Sequence, residues 1–267
     1  MKQVPPRLHV IPATGCDKAL ILRRGPSDHV ASLLWDRATN EFETGQWLKG
    51  RIYEHRADLS PDGRHMIYFA GTGKRWWTAI SRAPWLRAVA FYSTDNTWHG
   101  GGAFDEKGHV WFNGSEAPQV LADGLKPANV RAYPHATDGF HMGDMFPAMM
   151  QQRGWTKASG SGYGAVLVKE LVGGWQLELT FETGSKNRSM ISHRYALAHP
   201  ARSIVTHKED WEWAEPHGDA LQFAANGALH EARLMPDGAL ENQILIHDFT
   251  DMVFEAREAP YRGVSDR

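Results

Sequence analysis

The chain has 267 residues, 42% of them hydrophobic and 22% charged, an ordinary globular composition that supports a sizeable core. With 29 basic against 31 acidic residues the formal net charge is −2, and this balance gives no electrostatic footprint for a nucleic-acid backbone. The single cysteine, Cys16, excludes an intrachain disulfide, and no stretch approaches the roughly eighteen consecutive apolar residues of a membrane-spanning helix. Residues 1–7 lack the apolar core of a signal peptide. A cytoplasmic location, with no membrane and no nucleic-acid partner, is the expectation.

A turn-and-strand unit runs through the chain. It opens weakly as Pro12-Ala13-Thr14-Gly15 before the apolar run 19–22. It returns as Ser60-Pro61-Asp62-Gly63 before 65–69, as Phe104-Asp105-Glu106-Lys107-Gly108 before 110–112, and as Glu215-Pro216-His217-Gly218 before 221–223. The turn glycines Gly15, Gly63, Gly108 and Gly218 fit a period of about fifty residues, one marker being degenerate, and such periods signal solenoids, propellers or arrays. Five units of this size nearly fill the chain, so the expected fold is all-β: one β-propeller domain over 1–267, built from four-stranded antiparallel blades, five in number, closed between the termini.

Within the second unit, strands are expected at 52–58, 65–70, 76–81 and 86–92. Residues 117–154, rich in Pro, Gly and Met, read as an irregular insertion with a short helix at 144–153. Strands 165–171 and 175–181 follow. The last unit is the clearest, with strands at 211–214, 221–225, 228–234 and 243–247 and a turn at 215–219. Asn226-Gly227 between apolar runs predicts a type I′ hairpin. The tail 249–254 is strand-like and is expected to pair with an amino-terminal strand.

The Ser-Pro-Asp-Gly turn before an apolar strand resembles that of WD-repeat and Tol-type propellers. Trp77-Thr78-Ala79-Ile80-Ser81-Arg82, Trp98-His99-Gly100-Gly101-Gly102 and Asp251-Met252-Val253-Phe254-Glu255 resemble a group of uncharacterised bacterial propeller-like proteins. These resemblances imply a fold and carry over no activity or catalytic residue. The Gly-His and Trp-Asp pairs of a true WD repeat are absent as a regular set.

On a propeller, residues just before each marked turn lie on innermost strands near the central channel. That places His55, Arg56 and Asp58 with Trp98 and His99, and with Asp210, Trp211 and Glu212. His247, Asp248 and Asp251 join from the closing segment. Polar and aromatic groups converging in one concavity form the default ligand site; a solvated channel whose side chains merely satisfy one another is the alternative. Exposed Trp and Arg dominate recognition surfaces, which makes Arg56, Arg82, Trp85 and Trp98 candidates for partner binding.

Hydrolysis of a glycoside or phosphoester needs two carboxyl groups about 5 to 9.5 Å apart, one with a raised pKa. Asp58, Asp210, Glu212 and Asp251 are the inner-strand acids available for it, although strand alternation puts Glu212 on the face opposite Trp211 and Trp213. His135, Asp138, His141 and Asp144 recur every three residues and offer divalent-metal donors. Pro134, Gly139 and Gly143 oppose the helix that would align them, and the spacing matches no standard zinc signature. No cofactor is expected, a divalent metal being the alternative. Gly71-Thr72-Gly73-Lys74 and Gly160-Ser161-Gly162 meet neither the phosphate-loop nor the serine-elbow pattern. The expected function is a non-catalytic propeller module that binds a protein partner or small molecule, with a hydrolase as the alternative.

Overall fold

The computed structural model describes residues 4–113, 121–128, 142–183 and 191–263. Its regular elements are overwhelmingly antiparallel strands arranged in sequential meanders, the blade pattern of a β-propeller. Strands β1 (Arg7–Pro12), β2 (Lys18–Arg24), β3 (His29–Asp36) and β4 (Glu41–Lys49) form one sheet in chain order. The next contains β5 (Arg51–Ile52), β6 (Asp58–Leu59), β7 (His65–Gly71), β8 (Trp76–Arg82) and β9 (Ala88–Thr94), with β5 and β6 both pairing to β7. A two-stranded ladder of β10 (Gly102–Phe104) and β11 (Val110–Phe112) follows.

After the helix α1 (Met142–Gln152) come two further sheets. One runs β12 (Thr156–Ser159), β13 (Val166–Glu170), β14 (Gln176–Thr183), β15 (Ile191–His199), β16 (Ile204–Lys208). The other runs β17 (Trp211–His217), β18 (Ala220–Ala225), β19 (Ala228–Leu234), β20 (Leu240–Asp248). Four sheets therefore reach blade size, and no fifth does among the described residues. The expected fifth blade is not seen: among the described residues β10 and β11 pair with each other, with an isolated bridge from Val110 to Pro127 beside them, and the long interval between Gly108 and Gly218 holds one five-stranded sheet.

The chain divides into two compact units. One comprises the residues up to Leu8 with Phe146–Met252, the other His9–Met145 with the residues from Val253 on. In the second of these, β7 shows why its sequence is apolar at nearly every position. Met66, Tyr68 and Ala70 face one core, with Leu20, Leu22, Val30, Leu34 and Ile52. Ile67 faces the other, with Ile80, Phe104, Val110 and Phe112. Strand alternation sends neighbouring side chains to opposite faces, and here both faces are covered.

Three sequence expectations need local correction. The strand expected at 52–58 is interrupted by a 3-10 turn at Glu54–Arg56, although the Tyr53 amide still donates to the Phe69 carbonyl at 2.9 Å. The turn expected at 215–219 begins only at Gly218, since β17 continues through Pro216 and His217. Proline is tolerated there because β17 is an edge strand. The tail 249–254 forms no strand. Asp248 Oδ1 accepts from both the amide and the hydroxyl of Thr250, at 2.8 and 2.7 Å, a local side-chain turn that takes the backbone out of the ladder. Residues beyond Val253 instead lie on the second unit, where Gln46 Nε2 donates to the Arg257 carbonyl at 2.8 Å and Tyr261 Oη to the Arg87 carbonyl at 2.6 Å. The Asn226-Gly227 hairpin forms as expected, with φ of 53° and 80°.

Candidate functional site

The second unit contains a groove of about 440 Å³, within the range of small-molecule sites. Three strands of the first sheet supply one wall: Lys18 from β2, Leu34 from β3 and Glu43 from β4. Gly63, Arg64, His65, Arg82 and Ala83 supply the opposite wall, and Asp123 closes it.

The hairpin of β7 and β8 explains the second wall. Its register pairs His65 directly with Arg82, so both side chains leave the sheet on the same face. Asp123 takes both. Arg82 Nε and Nη2 donate to its two carboxylate oxygens at 2.7 and 3.0 Å, and His65 Nε2 donates to Oδ2 at 3.2 Å. The two Arg82 bonds hold the Asp123 carboxyl below its ordinary range, against the opposing effect of burial, with His65 adding to the lowering. Asp123 sits at φ 55°, a left-handed conformation that Asp tolerates better than most residues. From behind, the Tyr261 ring lies 4.9 Å under the Arg82 guanidinium, and its hydroxyl accepts from the Arg82 amide at 3.2 Å. Arg82 is thus fixed from two directions.

Lys18 is ordered differently. Its aliphatic stem crosses Gly63, where a Cβ would come within 2.9 Å of Lys18 Cδ and 3.2 Å of Cys16 Sγ. Gly63 also has φ +70°, so the position requires glycine twice over. Around it, Ser60 Oγ accepts from the amides of Arg64 and His65 at 3.2 and 2.9 Å, which fixes the turn that delivers both residues to the groove.

The residues anticipated from sequence fall in both units. In the second unit, Asp58 is buried, and its two oxygens accept from the amides of Leu59 and Phe104, each at 2.8 Å. That carboxylate ties β6 to β10. Arg56 is also buried; its Nη1 donates to the Thr97 carbonyl at 2.7 Å and its guanidinium lies 5.0 Å from the Phe69 ring. His55 packs edge-on to His9 at 5.0 Å. Asn96 Oδ1 accepts from the amides of Trp98 and His99, and the resulting tip leaves Trp98 68% exposed. Trp85 is half-buried beside the groove residue Arg82, to whose carbonyl its amide donates at 2.8 Å. Arg82 is the one anticipated residue that lines the groove.

In the first unit, Asp210 and Asp251 are exposed. Trp211 is buried and stacks on Phe223 at 4.5 Å. His247 packs edge-on against Phe249 at 4.4 Å, and burial lowers its pKa despite the nearby Asp248 charge. Glu212 departs from strict alternation because the β17–β18 register shifts between Trp211 and Trp213. At this bulge its carboxylate accepts from the Leu8 amide at 2.8 Å, and burial raises its pKa to about 7. The same unit holds an interior ion pair of Lys169 with Glu215, which also accepts from Trp155 Nε1 at 3.2 Å. Burial, then the Glu215 charge, push the neighbouring Tyr195 phenol up. Glu212, Lys169, Glu215 and Trp155 thus brace the interior of the unit.

Of the metal-donor set, His135, Asp138 and His141 lie outside the described residues, and Asp144 is exposed in the first turn of α1. Among the described residues no group of three or more His, Cys, Asp or Glu is arranged to hold a metal ion. Nor is any described helix long and apolar enough to cross a membrane.

Sequence reasoning missed Lys18, Glu43, Arg64, His65 and Asp123. A usable signal existed for His65: a hairpin looped at 72–75 pairs positions 65 and 82. Nothing in the sequence marks Asp123, which arrives from an irregular segment.

No family model and no curated protein matches the chain. Among solved structures it is similar to an uncharacterized protein from Listeria monocytogenes, at 10% identity and a TM-score of 0.33, covering 92% of this chain and 67% of that one. A putative 6-phosphogluconolactonase from Bacteroides fragilis matches at 11% identity and 0.33, covering 90% and 84%. The β-propeller domain of the trilobed protease from Pyrococcus furiosus matches at 9% and 0.32, covering 95% and 99%. Likenesses this low assign no activity.

Proposed function

We propose that the protein is a non-catalytic propeller module that binds a small molecule in the groove of its second unit. The observation that carries this reading is the groove itself. It is of ligand size, and its central polar group is already assembled, with Arg82 and His65 fixed on Asp123. Preorganised polar walls lower the ordering cost of binding. The hydrolase alternative receives less support: Asp58 is engaged by backbone amides, Asp210 and Asp251 are exposed, and Glu212, whose pKa burial raises, accepts from the Leu8 amide.

Thermal unfolding against a panel of sugars, amino acids, organic acids, nucleotides and sugar phosphates tests the reading. A ligand that saturates the groove at 100 times its Kd raises stability by about 2.7 kcal/mol. That stabilisation should disappear in Ala83→Leu, which fills the groove, while the ligand is recovered chemically unchanged. Turnover of the stabilising compound, or stabilisation that survives Ala83→Leu, would contradict the proposal.

A further inference from the structure

Resting on the groove as a binding site, we propose that its ligand is a small organic anion, whose carboxylate or phosphate group is held by Lys18 and Arg64. Some charges on the groove walls are already paired and others are not. Asp123 receives three N–H donors from Arg82 and His65, so its oxygens are poorly placed to ligate a cation and its charge is balanced by Arg82. Two cations and one anion remain on the groove walls: Lys18, Arg64 and Glu43.

Lys18 has no ion-pair partner among the described residues, and its stem is held across Gly63. Fixing the stem reduces the rotamer freedom that the ammonium would otherwise lose on binding. Arg64 is loosely engaged, its Nε 3.8 Å from Asp62 Oδ2 with the side chain 79% exposed, so it is free to swing onto a ligand. Glu43 stands on the same wall as Lys18, on β4 with β3 between them, and disfavours a second anionic group beside it. It suits a ligand hydroxyl or amine. The apolar lining is limited to Leu34 and Ala83, which argues against a lipid-like occupant.

Isothermal titration at low ionic strength with two probes, inorganic phosphate and 4-hydroxybutyrate, tests this. Saturable binding of phosphate alone, of 4-hydroxybutyrate alone or of both supports the inference and separates a phosphate from a carboxylate ligand. In each supporting case Lys18→Met weakens binding about 10-fold, as loss of a charge-assisted contact does. Glu43→Gln, an exposed-rim change without a folding role, tightens it about 3-fold by removing a like charge. Circular dichroism of both variants establishes that they fold. Absence of saturable binding by either probe overturns the inference, as does binding that Lys18→Met and Glu43→Gln leave unchanged. A neutral or cationic compound from the thermal panel that Ala83→Leu blocks would overturn the anion assignment while leaving the groove reading intact. No groove-dependent ligand of any class would remove both.

Discussion

Replacing Glu212 by glutamine should make the protein less sensitive to pH, in a direction opposite to that of a typical salt-bridged acid. The carboxyl sits at the β17 bulge and accepts the Leu8 amide. Burial raises its pKa to about 7 from the ordinary 4.5, with the Leu8 hydrogen bond and the Arg7 charge opposing. Between these values the folded state keeps the proton and the unfolded state releases it. Stability from this group is therefore greatest below pH 4.5, falls as pH rises toward 7, and levels off above. The penalty is about 1 kcal/mol at pH 5 and about 3 kcal/mol at pH 8, taking about 1.4 kcal/mol per unit. Glutamine retains the acceptor for Leu8 and cannot ionise, so it escapes the penalty. Urea titrations of both proteins followed by tryptophan fluorescence at pH 5 and pH 8 should show the stability of Glu212→Gln relative to wild type rising by about 2 kcal/mol. A difference that stays constant across this range, or falls, would refute the reasoning.

Asp58→Asn removes one of two buried carboxylate acceptors for the Leu59 and Phe104 amides and should cost about 2 kcal/mol in chemical denaturation; an unchanged midpoint would contradict the structural role. Gly101→Ala should cost more, about 3 kcal/mol or failure to fold, because a Cβ would lie 2.3 Å from the Arg56 carbonyl oxygen at φ +77°; soluble, wild-type-like protein would show that the backbone approach is not as described. Trp98→Ala should leave stability within about 0.5 kcal/mol, since the ring is 68% exposed, and a larger loss in thermal unfolding would mean that the ring is packed.

The blade pattern was legible because alternation, Pro-Asp-Gly turns and Asn-Gly hairpins are local signals. His65–Gly71 reads as a doubly buried strand from its own residues, and Asn226-Gly227 states its turn type outright. Blade number was not legible, because the period of the turn markers cannot distinguish a two-stranded ladder such as β10–β11 from a full sheet. Site residues were harder still. Asp58 and Arg56, expected on an innermost strand, are buried, Arg56 in a 3-10 turn, and both bond backbone partners at 2.7 to 2.8 Å. The groove arises where the end of one hairpin meets the face of another sheet and a loop carboxylate. That meeting depends on tertiary packing, and only the 65–82 pairing leaves a trace in the sequence.

Chemical-shift mapping of backbone amides in a titration of the intact chain with the best compound from the thermal panel tests the groove most directly. The account predicts saturable shifts concentrated at Lys18, Gly63–His65, Arg82–Ala83 and Asp123. Shifts centred instead on the Trp98 tip or on the first unit would contradict it.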